Sequence, residues 1–504
     1  MKSLSIKALA CLLVFLMVGN ILLQLKPKVH YVTHDDVITD SKKLEKQTNV
    51  IKALRTYPNI DAQHRNGFIK EKGNDGIGID GIIEHDDAID IVPKKNIVSD
   101  ECRIILNGDL NGIKKLRENN LTTFPWSDVT SDDEIIKRAA DCTELKKIYR
   151  FPPFVDSDFT VTEEELEFPI AYSVLMHENI EQLLLLLSAI YREHNIHCIH
   201  LDAKASPETY KTLEAVTRCF PNVFLSTQRQ RVIYAAASRL LADIACMRDL
   251  LAVPQTMYDW KYLINLCSQD FPMRTNKEIV QQLKVFRGHN SIGGYSELNS
   301  QVKPRTQFIY KIVNETEGET MTEKIIQTKE KHPPPPFNMT VMKNLAYNLY
   351  TREFLQWALI DGEVGPALLE WSLDTYSPDE HFWIMLHHYP EAPGGSSLLG
   401  GYQLARMIKW SFNKPVNACH GEWRHYICVY GAEDIFELTK DRREFFINKL
   451  DARMDSTGTE CMRQWLDERS ILPNEERKTW NPDLLPHIPS DAFYSKERKE
   501  EGNS

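Results

Sequence analysis

Acidic strings and histidine pairs are the side chains in this sequence best suited to moving protons or holding metal. Tyr376-Ser377-Pro378-Asp379-Glu380-His381 sets two acids ahead of the apolar stretch HFWIMLHHY. A carboxylate such as Glu380 could take a proton from a hydroxyl. The same string reads as a helix start, with Ser377 as cap, Pro378 in the first turn and Glu380 three residues on. That is the S-x-x-E capping box, and from these residues alone capping is the favoured role. Asp202 directly follows the apolar run HCIHL. An acid at a strand end could bind ribose hydroxyls. Its bland alternative, capping the next helix, is already filled by Ser206. Asp156-Ser157-Asp158 has the Asp-x-Asp form that can hold a divalent ion, but it precedes the first core strand, so no metal is expected there. His177-Glu178 has Glu181, not a second His, at i+4, so it is no zinc-protease helix. His387 and His388 would face different ways on a helix, and both are expected at the surface near a helix end.

The elements that must position these groups alternate. FPIAYSVLMH (Phe168–His177) is an apolar run of strand length. Asn179 to Arg192 reads as a helix, with Asn179 able to cap it and Gln182 three residues on. HCIHLD (His197–Asp202) is a second strand, and Ser206-Pro207-Glu208 opens another helix. NVFLS (Asn222–Ser226) is a third strand, Tyr234 to Leu251 a helix, and WKYLINL (Trp260–Leu266) a fourth strand. Strand–helix alternation of this kind predicts an α/β fold with a parallel sheet covered on both faces. Such sheets bind ligands at the carboxyl ends of their strands. No G-x-G-x-x-G follows a strand and no G-x-x-x-x-G-K-[ST] occurs, which disfavours dinucleotide-binding and P-loop chemistry. The KHPPPPF run (Lys331–Phe337) is polyproline-like and reads as a stiff loop.

Composition bounds the class. The chain has 504 residues, 42% of them hydrophobic, enough for a real core. Its net charge of −11, from 60 basic and 71 acidic residues, argues against a general nucleic-acid binder. Ala8 to Leu25 holds eighteen uncharged residues, flanked by Lys2 and Lys7 before and Lys26 and Lys28 after. At 1.5 Å per residue it would span about 27 Å, just enough for a hydrocarbon core. The flanking charges give no clear orientation. A cleaved signal peptide is the rival reading, though no clean A-x-A site ends the run. The expected organisation is a cytoplasmic tail (1–7), a signal anchor (8–25), a polar acidic stem (26–100), a lumenal domain (101–475) and a polar tail (476–504). Three sequons, at Asn120, Asn314 and Asn338, each weak alone, suit a lumenal bulk. So do nine scattered cysteines downstream of the apolar run, none in a C-x-x-C pair. Nine is odd, so at least one thiol is expected free.

The pattern as a whole resembles the core-2/I-branching β-1,6-N-acetylglucosaminyltransferases, Golgi enzymes of a wider branching family. The likeness runs from about Cys102 to Leu472. Its best blocks are FPIAYSVLMH, AIYREHNIHCIHLDAKAS, WKYLINLCSQDFPMRTN, DTYSPDEHFW followed by PEAPG, and CHGEWRHYIC with FFINKLD. The resemblance implies a GT-A-like, Rossmann-type glycosyltransferase fold, inversion at the anomeric carbon, UDP-N-acetylglucosamine as donor, and no metal or other cofactor. It implies the disulfides Cys102–Cys461, Cys142–Cys219, Cys198–Cys246 and Cys419–Cys428, with Cys267 free. Glu380 would be the general base, acting on the acceptor's 6-hydroxyl. Without a metal, fixed cations must stabilise the leaving diphosphate. The family uses an Arg between two paired cysteines and a Lys further on, and Lys449 matches the Lys. The family's Arg position falls here on His425, with Arg424 before it. The expectation is placed on Arg424, since a guanidinium stays charged and can fork onto a diphosphate, whereas His425 is only partly charged at Golgi pH.

For the donor, the resemblance points to Leu175, Met176 and His177 after the first strand, Asp202, Ala203 and Lys204 after the second, and Tyr234. Leu175 and Met176 could equally be core packing. For the acceptor it points to Trp410 and Phe412, an aromatic pair able to stack on a sugar. Phe412 lacks the hydroxyl of the family's usual Tyr, a change that can shift acceptor choice. The segment between about Gly288 and Pro336 matches the family poorly. The implied activity is core 2 type: a β-1,6-linked N-acetylglucosamine added to galactosyl-N-acetylgalactosamine on Ser or Thr of a glycoprotein. The implied location is the Golgi membrane, single-pass type II. Two other readings stay open: a family transferase with another donor or acceptor, such as xylose onto protein, and a non-catalytic lumenal glycan binder.

Overall fold

The computed structural model describes residues 97–119, 130–152, 161–296, 302–317, 320–395, 404–413, 418–440 and 443–471. All fall within one unit, 54–504. The expected tail and anchor (1–25), nearly all of the stem, the sequon Asn120, the Asp156–Asp158 string and the C-terminal tail lie outside them. Among the described residues no helix is long and apolar enough to cross a membrane.

Four parallel strands make the main sheet. They are β1 (Ile170–Met176), β2 (Ile196–Leu201), β3 (Val223–Leu225) and β4 (Tyr262–Cys267). β5 (Asp270–Pro272) follows at once, and β6 (Tyr295–Ser296), the long β7 (Phe308–Glu317) and β8 (Thr320–Lys331), and β9 (Met342–Lys343) come next. β10 (Leu349–Thr351) then adds antiparallel to β4, giving the order β10-β4-β1-β2-β3. Every residue of β1 and β2 is buried. A parallel strand covered on both faces shows no polar alternation, which is why FPIAYSVLMH reads as one apolar run.

Helices cover both faces. The helix Ile180–Ile190 is buried along its whole length and clusters with Ile170, Tyr172, Val174 and Met176, one face of β1. Asn179 caps it from the left-handed region (φ 64°), its side chain accepting the Gln182 N–H at 3.1 Å. The helix Ser238–Ala252 packs on β1 and β2. Cys198 pairs in register with Ser173, on the face of β1 opposite Tyr172, and its disulfide to Cys246 fixes that helix to the other side of the sheet. The helix begins at Ser238, four residues later than the sequence suggests, and leaves Tyr234 in the preceding loop. Ser206 caps Pro207–Thr217 as expected, accepting from the Thr209 N–H at 3.1 Å.

A second sheet orders β11 (Arg406–Ile408), β14 (Phe446–Asn448) and β5. Between the first two runs a short hairpin of β12 (Glu422–Arg424) and β13 (Ile427–Val429). Four disulfides form, Cys102–Cys461, Cys142–Cys219, Cys198–Cys246 and Cys419–Cys428, the pairing implied by the family resemblance, and Cys267 is a free thiol. One expectation fails in the helix Phe382–His387. His387 is buried, not at the surface, and its burial pushes the imidazole down to about 3.

Candidate active site

Ser377 does not cap a helix. Its backbone is left-handed (φ 48°) and its side chain makes no capping bond. Pro378–Glu380 form one 3-10 turn before the helix Phe382–His387. Backbone bonds to three other segments hold this string. Tyr376 donates its N–H to the Arg305 carbonyl at 2.9 Å, and Ser377 to the Ala235 carbonyl at 2.7 Å. The Glu380 carbonyl accepts the Asn344 N–H at 2.7 Å. A left-handed non-glycine residue costs free energy, on the order of 1–3 kcal/mol, and persists where surrounding contacts over-determine it.

The Glu380 carboxylate, released from capping, meets two cations. Arg305 Nη1 lies 2.8 Å and Lys343 Nζ 3.0 Å from Oε2. Arg305 also sits over the Tyr376 ring at 5.3 Å. The Glu380 side chain keeps 24% of its surface exposed, so the carboxylate borders solvent, not the core. Asp379 beside it is buried, and burial raises its carboxyl to about 6. Arg239 opposes that rise, while the charges of Glu380 and Asp243 add to it.

Tyr234, 78% exposed, is near enough for the charge of this acid to act on its hydroxyl. It immediately precedes Ala235, whose carbonyl holds Ser377. Partial burial raises its hydroxyl, and the charges of Tyr376 and Glu380 raise it further. The Tyr234 ring stacks on His425 at 6.2 Å and 27°. His425 and Tyr426 form the turn of the β12–β13 hairpin, both with positive φ. The same hairpin carries the aromatic pair. Ser411 donates its N–H to the Tyr426 carbonyl at 2.9 Å and Trp410 bridges Ile427. Trp410 and Phe412 stack at 5.3 Å, and Phe412 is 70% exposed. A connected path therefore runs from the acid through Tyr234 and the hairpin tip to the aromatic pair.

The carboxyl ends of β1, β2 and β4 form the neighbouring rim. Leu175 and Met176 are buried, and their carbonyls accept the N–H groups of Ser268 and Asp202 at 3.0 and 2.9 Å. Their side chains are packing, while His177 after them is exposed beside Glu178 at 3.6 Å. Asp202 is buried at the end of β2. Its Oδ1 accepts the N–H groups of Lys204 and Val232 at 2.8 and 3.4 Å, and Lys204 Nζ lies 3.6 Å from Oδ2. Ala203 donates its N–H to the Gln230 carbonyl at 2.9 Å. Asp202 thus shapes its own loop while keeping Oδ2 toward Lys204.

Lys449, half-buried after β14, lies near Cys267 at the end of β4. Burial and then Asp270 push the Cys267 thiol up to about 11, against Lys449 and Arg406. Arg424 and His425 lean to different sides. Arg424 pairs with Glu422 and, at 2.6 Å, with Asp451. Asp451 also holds Arg453 at 3.2 Å, and Arg453 reaches Glu178 at 2.9 Å. Arg424 therefore joins the β1 rim, and His425 faces Tyr234. Among the described residues one group, Cys419, Cys428 and Asp434, has metal-ligand spacing. Its two sulfurs are already joined in a disulfide, and Asp434 pairs with Lys409 at 2.9 Å. It offers no thiolate to a metal.

A family model described as "Core-2/I-Branching enzyme" matches residues 170–439, more than half of the chain, from β1 through the helix Ile435–Thr439. This chain belongs to that family. The Core-2/I-Branching match encloses Tyr234, Arg305, Lys343, Glu380 and Arg424; Lys449 lies just beyond it. Among curated relatives, the chain is similar to a β-1,3-galactosyl-O-glycosyl-glycoprotein β-1,6-N-acetylglucosaminyltransferase of Bovine herpesvirus 4. The two are 35% identical over 399 residues, covering 76% of this chain and 85% of the viral one. The Homo sapiens protein of that name numbered 3 is 34% identical over 403 residues, covering 76% and 86%.

In this branching-family chain, Arg305 and Lys343 are the site residues that the sequence did not single out. Arg305 falls in the poorly matching segment, and nothing around Lys343 in MKNLAY marks it. The long β7–β8 hairpin that follows Arg305 also borders the site, through Tyr310 against Tyr376 at 5.4 Å and Glu323 on Arg231 at 2.6 Å.

Proposed function

We propose that this chain is an inverting β-1,6-N-acetylglucosaminyltransferase. It moves N-acetylglucosamine from UDP-N-acetylglucosamine to a 6-hydroxyl of galactosyl-N-acetylgalactosamine O-glycans on glycoproteins, in a GT-A-like fold anchored in the Golgi membrane with its bulk in the lumen. The observation that carries this reading is Glu380, freed from capping, partly exposed and one backbone bond away from the loop of Tyr234. In the reaction Glu380 takes the hydroxyl proton as the acceptor oxygen bonds to the anomeric carbon. The bond from that carbon to the diphosphate breaks, and UDP leaves with the electron pair. A positioned general base typically contributes about 10²–10⁴-fold. Lys449 and Arg424 offset the charge growing on the leaving diphosphate. Trp410 and Phe412 offer a stacking face for the acceptor sugar.

The test is Glu380→Gln in the lumenal portion, assayed with this donor and acceptor. UDP binding should persist while transfer falls at least a hundredfold. Retained turnover would end the assignment.

A further inference from the structure

Glu380 is not held symmetrically. The contacts of Arg305 and Lys343 with this carboxylate fall on Oε2, at 2.8 and 3.0 Å. Oε2 is itself buried, so the 24% exposure of this side chain belongs to its other atoms. The terminal torsion of a glutamate is broad and roughly two-fold, so an unrestrained carboxylate presents either oxygen. Two cations drawn to one buried oxygen favour the orientation that leaves Oε1 as the outward atom.

Lys343 is built into place. Its side chain is only 9% exposed, and a lysine that deep needs a partner. It ends β9, which pairs with β6 through Tyr295. The next residue, Asn344, donates its N–H to the Glu380 carbonyl at 2.7 Å. Asn344 is fixed in turn by its side-chain bond to Asn348 at 2.8 Å. One short segment thus grips both the backbone and the side chain of Glu380. Gly294 permits the close approach: a Cβ there would lie 2.4 Å from the Lys343 carbonyl oxygen and 2.1 Å from Ile384 Cδ1.

We propose that Lys343 is a positioning residue which, with Arg305, pins Oε2 and so assigns Oε1 of Glu380 as the atom that takes the acceptor proton. The proton passes from the acceptor hydroxyl to Oε1, the freed oxygen pair bonds to the anomeric carbon, and the two cations stay on Oε2 throughout. This inference rests on the transferase reading above. Misplacement of a reacting group by about 1 Å can cost on the order of a hundredfold in rate.

The test compares Lys343→Met, Lys343→Arg and Glu380→Gln in the same steady-state assay, with thermal unfolding of each. Lys343→Met should lower kcat about ten- to a hundredfold, leave the KM for UDP-N-acetylglucosamine unchanged, and be largely rescued by Lys343→Arg. A wild-type kcat in Lys343→Met, or an Arg variant no better than Met at equal folding, overturns the proposal. An active Glu380→Gln overturns the base assignment itself, a separate outcome. If Lys343→Met does not fold, Lys343→Gln, which keeps an N–H donor without the charge, is read by the same criteria.

Discussion

The N–H of Ser377 donates to the carbonyl of Ala235 at 2.7 Å, and this bond couples the string that carries Glu380 to the loop that carries Tyr234. The two segments lie far apart in sequence and come from opposite halves of the matched family region. The left-handed turn at Ser377 is what lets its N–H face that carbonyl instead of closing a helical cap. The acid and the tyrosine are thereby set in one frame.

The leaving diphosphate is offset by side chains alone in the proposed reaction. Chelation with EDTA should therefore leave the transfer rate within twofold of the untreated enzyme. Strong inhibition reversed by adding back a divalent ion would contradict the roles of Arg424 and Lys449.

Arg424 directs Nε to Glu422 and Nη1 to Asp451, and its side chain keeps 36% of its surface exposed. Arg424→Ala should raise the UDP dissociation constant about ten- to a hundredfold, the loss of a hydrogen bond to a charged group being about 1.5–3 kcal/mol. His425→Ala should change it by less than about threefold, since that ring packs on Tyr234. Isothermal titration of both variants decides between them, and the reverse ranking would move the diphosphate to His425.

Asp451 is a buried hub. Burial favours its neutral form, but hydrogen bonds from Arg453 and Arg424 win and hold the carboxyl below its ordinary range. Its two arginines are about one-third exposed, so solvent screens part of the attraction. Asp451→Asn should destabilise the fold by about 1–3 kcal/mol in chemical unfolding, because it removes the buried charge shared by two guanidinium groups and leaves them only the more exposed Glu422 and Glu178. It should weaken UDP binding as well, through Arg424.

Asp379 works in the opposite direction. Its carboxyl is raised to about 6 by burial, against about 4 in an unfolded chain. The folded state therefore keeps a proton that the unfolded state has released, and stability falls as pH rises from about 4 to about 6, then levels off. The linked loss is on the order of 3 kcal/mol. Asp379→Asn should lack this decline, read as the difference between the two proteins in unfolding free energy at pH 4.5, 5.5 and 7. Parallel curves would show that Asp379 is ionised throughout.

The alternation of buried strands and capped helices was legible because its signals are local. An unbroken apolar run marks β1, and Asn179 and Ser206 cap where short-range bonding dictates. The catalytic candidate and the cysteine pattern were legible only through resemblance, since SPDE by itself favours a cap. Tertiary structure decided what local rules could not. Ser377 is drawn out of its cap by a carbonyl more than a hundred residues away, and His387 is buried by packing that a two-residue string cannot reveal. Arg305 and Lys343 carry no motif, because a long-range ion pair is set by where strands and turns meet, not by spacing along the chain. Sequence thus determined the scaffold and, through resemblance alone, nominated the acid, and the fold alone chose its partners.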